Sequence, residues 1–127
     1  MEIFIIDDDE LLCFILKKQI SRYQMLEIWD TAHDGEKALE ILAKAEEAER
    51  VPPDIILLDL NMPIMDGWEF LEAFSPLKKN LAKQPKICIL SSSINPADRE
   101  KSKIYPEVIE FFTKPLQEEK LELLSRL

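Results

Sequence analysis

Glycine is nearly absent: the chain has two, Gly35 and Gly67. That excludes the glycine-rich loops that cradle phosphates in P-loop and Rossmann nucleotide domains. Histidine and cysteine are as scarce. His33, Cys13 and Cys88 are too few and too dispersed for a zinc site. Both cysteines sit in apolar stretches, which reads as buried free thiols rather than a disulfide or metal ligands. His33 is assigned a loop or strand-end place and no chemistry. Apolar runs such as Ile55 to Leu58 fall far short of a bilayer span. No signal peptide is evident, since Met1-Glu2 leads into a short apolar run that ends in three aspartates. Cationic charge is also in deficit: Lys+Arg 16 against Asp+Glu 25 leaves −9. This disfavours nonspecific attraction to nucleic-acid phosphates or anionic membrane. Lys78, Lys79, Lys83 and Lys86 are the candidate local basic patch, read here as a solvated loop and helix end. A reducing, cytoplasmic setting without direct nucleic-acid or membrane binding is expected.

What is present is a rhythm. The 127 residues suit one compact domain with a real core, and short apolar runs alternate with longer amphipathic segments as in βα units. Strands are expected at Ile3 to Ile6, Leu26 to Thr31, Asp54 to Leu58, Lys86 to Leu90 and Val108 to Phe112. The first helix, capped by Asp9 or Asp8, should run to about Tyr23 with Leu12, Ile15, Leu16 and Ile20 inward. The second should pass through Ala38, Leu39, Leu42 and Ala45, with Val51-Pro52-Pro53 as its stop. The third spans Trp68 to about Leu77, with Trp68 as packing and Gly67 as a tight-turn residue. Asn95-Pro96 starts the fourth, which Pro106 limits. Gln117 to Arg126 is the last, with Leu121 and Leu124 inward. Parallel strands with helical crossovers on both faces give an α/β, doubly wound, three-layer (βα)5 sandwich. For five such units the flavodoxin-like sheet order 2-1-3-4-5 is the common solution, its ligand site at the carboxyl ends of strands 1 and 3.

Chemistry-bearing residues collect at those ends. Strand 1 runs into Asp7-Asp8-Asp9, strand 3 into Asp59, strand 4 into Ser91-Ser92-Ser93 and strand 5 into Thr113-Lys114-Pro115. If strands 1 and 3 are neighbours, Asp7 or Asp8 converges with Asp59. Converged carboxylates raise one another's pKa or demand a cation, and an all-oxygen set suits Mg²⁺. A carboxylate beside such a cation, with a lysine and a hydroxyl at hand, is equipped for phosphoryl transfer onto itself. Helix capping accounts for one of the three aspartates, Asp9 being the natural one, but not for all three.

The set Ile3 to Asp9 (I-F-I-I-D-D-D), Asp54 to Pro63 (D-I-I-L-L-D-L-N-M-P), Met65 to Gly67, Leu90 to Ser92 and Phe111 to Pro115 (F-F-T-K-P) resembles the response-regulator receiver family across essentially the whole chain. The resemblance implies a single receiver domain over 1–127, acting as the phosphorylation-switched receiver of a two-component phosphorelay. It implies Asp59 as phospho-acceptor, and Asp7, Asp8, Asp59 and the Asn61 backbone carbonyl as ligands of Mg²⁺, with Mn²⁺ the alternative. Lys114 would pair with the phosphoryl group. Ser91 would be the switch hydroxyl, with Ser92 as the alternative, and Phe111 the aromatic that turns inward. A cis Lys114–Pro115 bond is also implied. The phosphodonor would be a sensor histidine kinase or phosphotransfer protein. The output would pass through the strand 4–helix 4–strand 5–helix 5 face to a downstream protein or to an effector domain outside these residues. Such a chain is not an enzyme beyond its own aspartyl phosphorylation and dephosphorylation. Two other readings are a binding module of the same fold that has lost phosphorylation, and a haloacid-dehalogenase-type phosphatase. The latter wants a second aspartate two residues after the nucleophile, where Asn61 stands.

Overall fold

In the computed structural model, which describes residues 1–127, five parallel strands lie in the order β2-β1-β3-β4-β5. They are β1 (Glu2–Ile6), β2 (Glu27–Ala32), β3 (Ile55–Leu58), β4 (Lys86–Ser91) and β5 (Val108–Thr113). The helices are α1 (Glu10–Ile20), α2 (Gly35–Glu47), α3 (Gly67–Leu77), α4 (Pro96–Ser102) and α5 (Glu118–Ser125). The central strands are apolar on both sides because both sides are covered. One layer packs Phe4, Ile56 and Ile89 against Ala38 and Leu42 of α2 and Phe70 and Phe74 of α3. The other packs Ile5, Leu57 and Cys88 against Cys13 and Leu16 of α1 and Leu121 and Leu124 of α5. This is the doubly wound, flavodoxin-like three-layer arrangement and sheet order expected.

Several local expectations are corrected. Helix α1 ends at Ile20, short of Tyr23, and its inward stripe is Cys13, Leu16 and Ile20. Ile15 faces solvent instead. Cys13, expected as a buried thiol, takes the inward place expected of Ile15, since a thiol packs as readily as a small aliphatic group. Helix α2 is not stopped by Pro52. It ends at Glu47 because Glu49 adopts a left-handed φ of 57°. The Arg50 N–H then donates to the Ala45 carbonyl at 2.8 Å and the Glu49 N–H to that of Glu46 at 3.1 Å, closing a Schellman motif without glycine. Helix α4 has seven residues and stops before Pro106. In the candidate basic patch, Lys78 pairs with Glu107 at 2.9 Å and Lys83 with Asp54 at 2.6 Å, so much of its charge is neutralised.

Gly67 is not a turn residue with a special φ; neither glycine has a positive one. It is the first residue of α3, after an Asp66 cap whose partner Glu69 completes a capping box. Glycine is needed there for closeness: a Cβ would lie 2.5 Å from the Asp59 carbonyl oxygen and 2.8 Å from the Leu60 Cα. The start of α3 is thereby pressed against the end of β3. Gly67→Ala must push backbone against backbone, so urea denaturation is expected to show a loss of about 1–3 kcal/mol. An unchanged midpoint would mean that this approach is dispensable.

Candidate functional site

Because β1 and β3 are neighbours with Ile6 opposite Leu58, the next residue of each strand emerges beside the other. Those residues are Asp7 and Asp59, buried to 2% and 4% exposure. Backbone bonds hold them level: the Asp59 N–H donates to the Ile6 carbonyl and the Asp7 N–H to the Ala32 carbonyl, each at 2.9 Å. Asp8 is exposed yet turns back to the same point, and oxygens of Asp7, Asp8 and Asp59 lie within 4.8 Å of one another. Asp9 caps α1 through the Leu12 N–H, and its own N–H donates to Asp7 Oδ1 at 2.9 Å. One aspartate therefore starts the helix and also orients its neighbour.

Lys114 arrives from the end of β5. Its Nζ lies 2.9 Å from Asp7 Oδ2 and 3.4 Å from Asp59 Oδ1. Its backbone N–H donates to the Ser91 carbonyl at 2.8 Å, and the Lys114–Pro115 bond is cis. Ser91 is fully buried at the end of β4, and its hydroxyl accepts the Ser93 N–H at 3.0 Å; Ser92 is exposed. The Asn61 N–H reaches Asp59 Oδ1 at 3.4 Å. Phe111 is half-buried on β5, opposite Ile89. All seven positions singled out from the sequence thus lie at or beside one edge of the sheet. His33, given no chemistry above, sits with Nδ1 3.1 Å from the Asp7 carbonyl oxygen. With the proton on that nitrogen it donates and steadies the strand end. Its place directly after β2, next to β1 in the sheet, is the signal that could have found it.

The charges do not balance. Burial pushes the Asp59 carboxyl up to about 6, and the Asp7 charge adds to this, while Lys114 and the Asn61 N–H pull it back. Burial pulls Lys114 down, but its hydrogen bond to Asp7 and the charges of Asp7 and Asp59 outweigh that, holding it above its ordinary value. Cys13, whose Sγ donates to the Asp7 carbonyl at 3.6 Å, is pushed to about 11 by burial and by Asp7, so it stays a thiol. A buried pair of carboxylates with one ammonium leaves a negative excess. Three carboxylates with an exposed mouth fit a hard divalent cation.

Comparison with known proteins agrees with this geometry. The family model of the response regulator receiver domain matches residues 3–125. The chain belongs to the response regulator receiver family. It is thus a receiver domain of the two-component type. It is 37% identical over 130 residues to a protein-glutamate methylesterase/protein-glutamine glutaminase of Treponema denticola, covering 98% of this chain and 31% of that protein. The receiver thus spans less than a third of that relative's length. A two-component response regulator from Cytophaga hutchinsonii superposes with a TM-score of 0.80 at 32% identity, covering 98% of this chain and 93% of that one. A chain of the CheX–CheY–BeF3–Mg²⁺ complex from Borrelia burgdorferi gives 0.79 at 25% identity, covering 99% and 85%.

The raised Asp59 pKa has a consequence for stability. A carboxyl whose folded pKa exceeds its ordinary 3.8 contributes fully below that value and loses its contribution as pH rises through about 6. Asp59→Asn cannot ionise. In chelator at about pH 8 it is expected to be more stable than wild type by about 1–3 kcal/mol, the gap closing below about pH 4. A less stable Asp59→Asn at the higher pH would contradict the assignment of the excess charge.

Proposed function

We propose that this receiver is switched by phosphorylation of Asp59, with residues 1–127 acting as one domain. The observation that carries this reading is the buried Asp59 carboxylate flanked by Asp7, Asp8 and the Lys114 ammonium. An Asp59 oxygen attacks the phosphorus of a phosphohistidine or a small acyl phosphate. The new P–O bond forms as the donor's bond to phosphorus breaks, and the leaving group departs with the electron pair. Lys114 then pairs with a phosphoryl oxygen, keeping Asp7 as its second partner. The Ser91 hydroxyl, which now accepts from Ser93, has its proton free for another phosphoryl oxygen. Asp7, Asp8, Asp59 and the Asn61 carbonyl would hold Mg²⁺, or Mn²⁺ in its place. When bound, the ion neutralises the carboxylates and the charge building on the transferring group.

On this reading the chain's only catalysis is of its own Asp59. The phosphodonor is a sensor histidine kinase or a phosphotransfer protein. Support for its docking comes from α1, which directly follows the aspartates and exposes Leu11, Phe14 and Ile15 as one apolar stripe beside the mouth. No helix is long and apolar enough to cross a membrane, and neither membrane nor nucleic acid is assigned as a partner. Output is assigned to the β4–α4–β5–α5 face, read by a separate protein or by an effector segment. Ser91 and Phe111 carry the change there, the ring turning inward as the hydroxyl moves.

Acetyl phosphate with Mg²⁺ is expected to add the mass of one phosphoryl group to the wild type and none to Asp59→Ala or to wild type in chelator. Labelling that survives Asp59→Ala, or no labelling at all, overturns the proposal.

A further inference from the structure

Arg99, on α4, forms no ion pair although it is exposed and the chain is strongly acidic. Its guanidinium instead lies over the Phe111 ring, 4.8 Å from the centroid. It also donates to the carbonyl oxygen of the same residue at 3.2 Å. Three surface concavities, of about 380, 220 and 270 Å³, all border both Arg99 and Phe111. Space on the Arg99 side of the pair is therefore open, while the half-buried ring rests its other side against the core layer that contains Ile89. Helix α4 is too short to brace it, having seven residues and only Ser102 buried.

We propose that Arg99 is a positioning residue for the switch, holding the Phe111 ring outward and so setting how much phosphorylation free energy is needed to turn it in. The inference rests on Asp59 being the phospho-acceptor and Phe111 the moving aromatic. Its two contacts do different things. The bond to the Phe111 carbonyl fixes the guanidinium on β5 wherever the ring points. The stacking belongs to the half-exposed place the ring occupies here and is lost when the ring turns further in. Only a contact that differs between two states can bias them, so the stacking is the part that counts. Losing it favours the inward state and, by linkage, tightens binding of any ligand that selects that state. Glu110 and Lys120, the other charged residues of the largest concavity besides Lys114, offer the ring no equivalent cation contact.

Beryllofluoride with saturating Mg²⁺ is the probe, titrated calorimetrically into the full chain. Removing an exposed cation–ring contact should tighten its apparent affinity about two- to fivefold in Arg99→Ala. Arg99→Lys, which keeps a cation over the ring, should stay nearer to wild type than Arg99→Ala does. In a Phe111→Leu background, which keeps apolar bulk without the ring's negative face, adding Arg99→Ala should change nothing. A purely structural Arg99 would lower the melting temperature and leave these affinities alone. An unchanged or weakened affinity in Arg99→Ala overturns the proposal, as does the same tightening in the Phe111→Leu background. If the wild type itself fails to bind beryllofluoride, the Asp59 reading fails and takes this one with it. Wild-type binding with no Arg99 effect overturns this one alone.

Discussion

Two buried carboxylates, Asp7 and Asp59, face a single ammonium, Lys114, where β1, β3 and β5 run out. Placing like charges together out of water is costly, and one cation offsets only part of it. The surrounding architecture holds the group together against that cost. Strands β1 and β3 are apolar on both sides, with Ile6 and Leu58 in register. Gly67 lets α3 press on the Asp59 carbonyl. Asp9 lends its N–H to Asp7. The lysine comes from beyond an intervening strand, and the bond from its N–H to the Ser91 carbonyl fastens the ends of β4 and β5 together. Surplus negative charge at an open mouth suits a cation, which is what the proposed phosphorylation of Asp59 requires.

The same fastening makes the edge mechanically continuous. Ser91 ends β4, Thr113 lies opposite it, and Phe111 is two residues earlier on β5. The β4–β5 register slips between Ile87 and Cys88, whose partners are Val108 and Glu110, leaving Ile109 unpaired. This slip puts Phe111 on the same side as Val108, against the core layer that contains Ile89. In the proposed switch, a displacement at the serine would have a short route to an aromatic that is only half-buried. Arg99 stands at the end of that route, on a helix with little other purchase on the sheet.

Much of this was legible in the sequence, for a physical reason. Central parallel strands must be apolar on both sides, so the first polar residue after each run marks the carboxyl edge, and Asp7, Asp59 and Ser91 could be placed there from pattern alone, while Lys114 was placed by lying just past the end of the edge strand β5. What the pattern could not show was whatever depends on a rotation or on an approach. Cys13 and Ile15 are both expected inward, yet they lie on nearly opposite sides of α1, so the packing of Leu16 and Ile20 leaves room for only one of them. Glu49 in a left-handed conformation ends α2 three residues before Pro52, and no residue type announces it. Gly67 looked like a turn and proved to be a contact. The place of Arg99 over Phe111 depends on the length of α4, which Asn95, Pro96 and Pro106 bracket without setting.

The central claim is that the strand ends concentrate more negative charge than Lys114 can neutralise, and that the surplus is built for a divalent cation. A ligand that binds the folded state raises its stability in proportion to the logarithm of its concentration above Kd. Equilibrium urea denaturation across a Mg²⁺ series at constant ionic strength tests this directly. Stability is expected to climb with Mg²⁺ in the wild type and to stay flat in Asp8→Asn/Asp59→Asn. A wild-type stability that does not respond to Mg²⁺, or a double variant that responds equally, would contradict it.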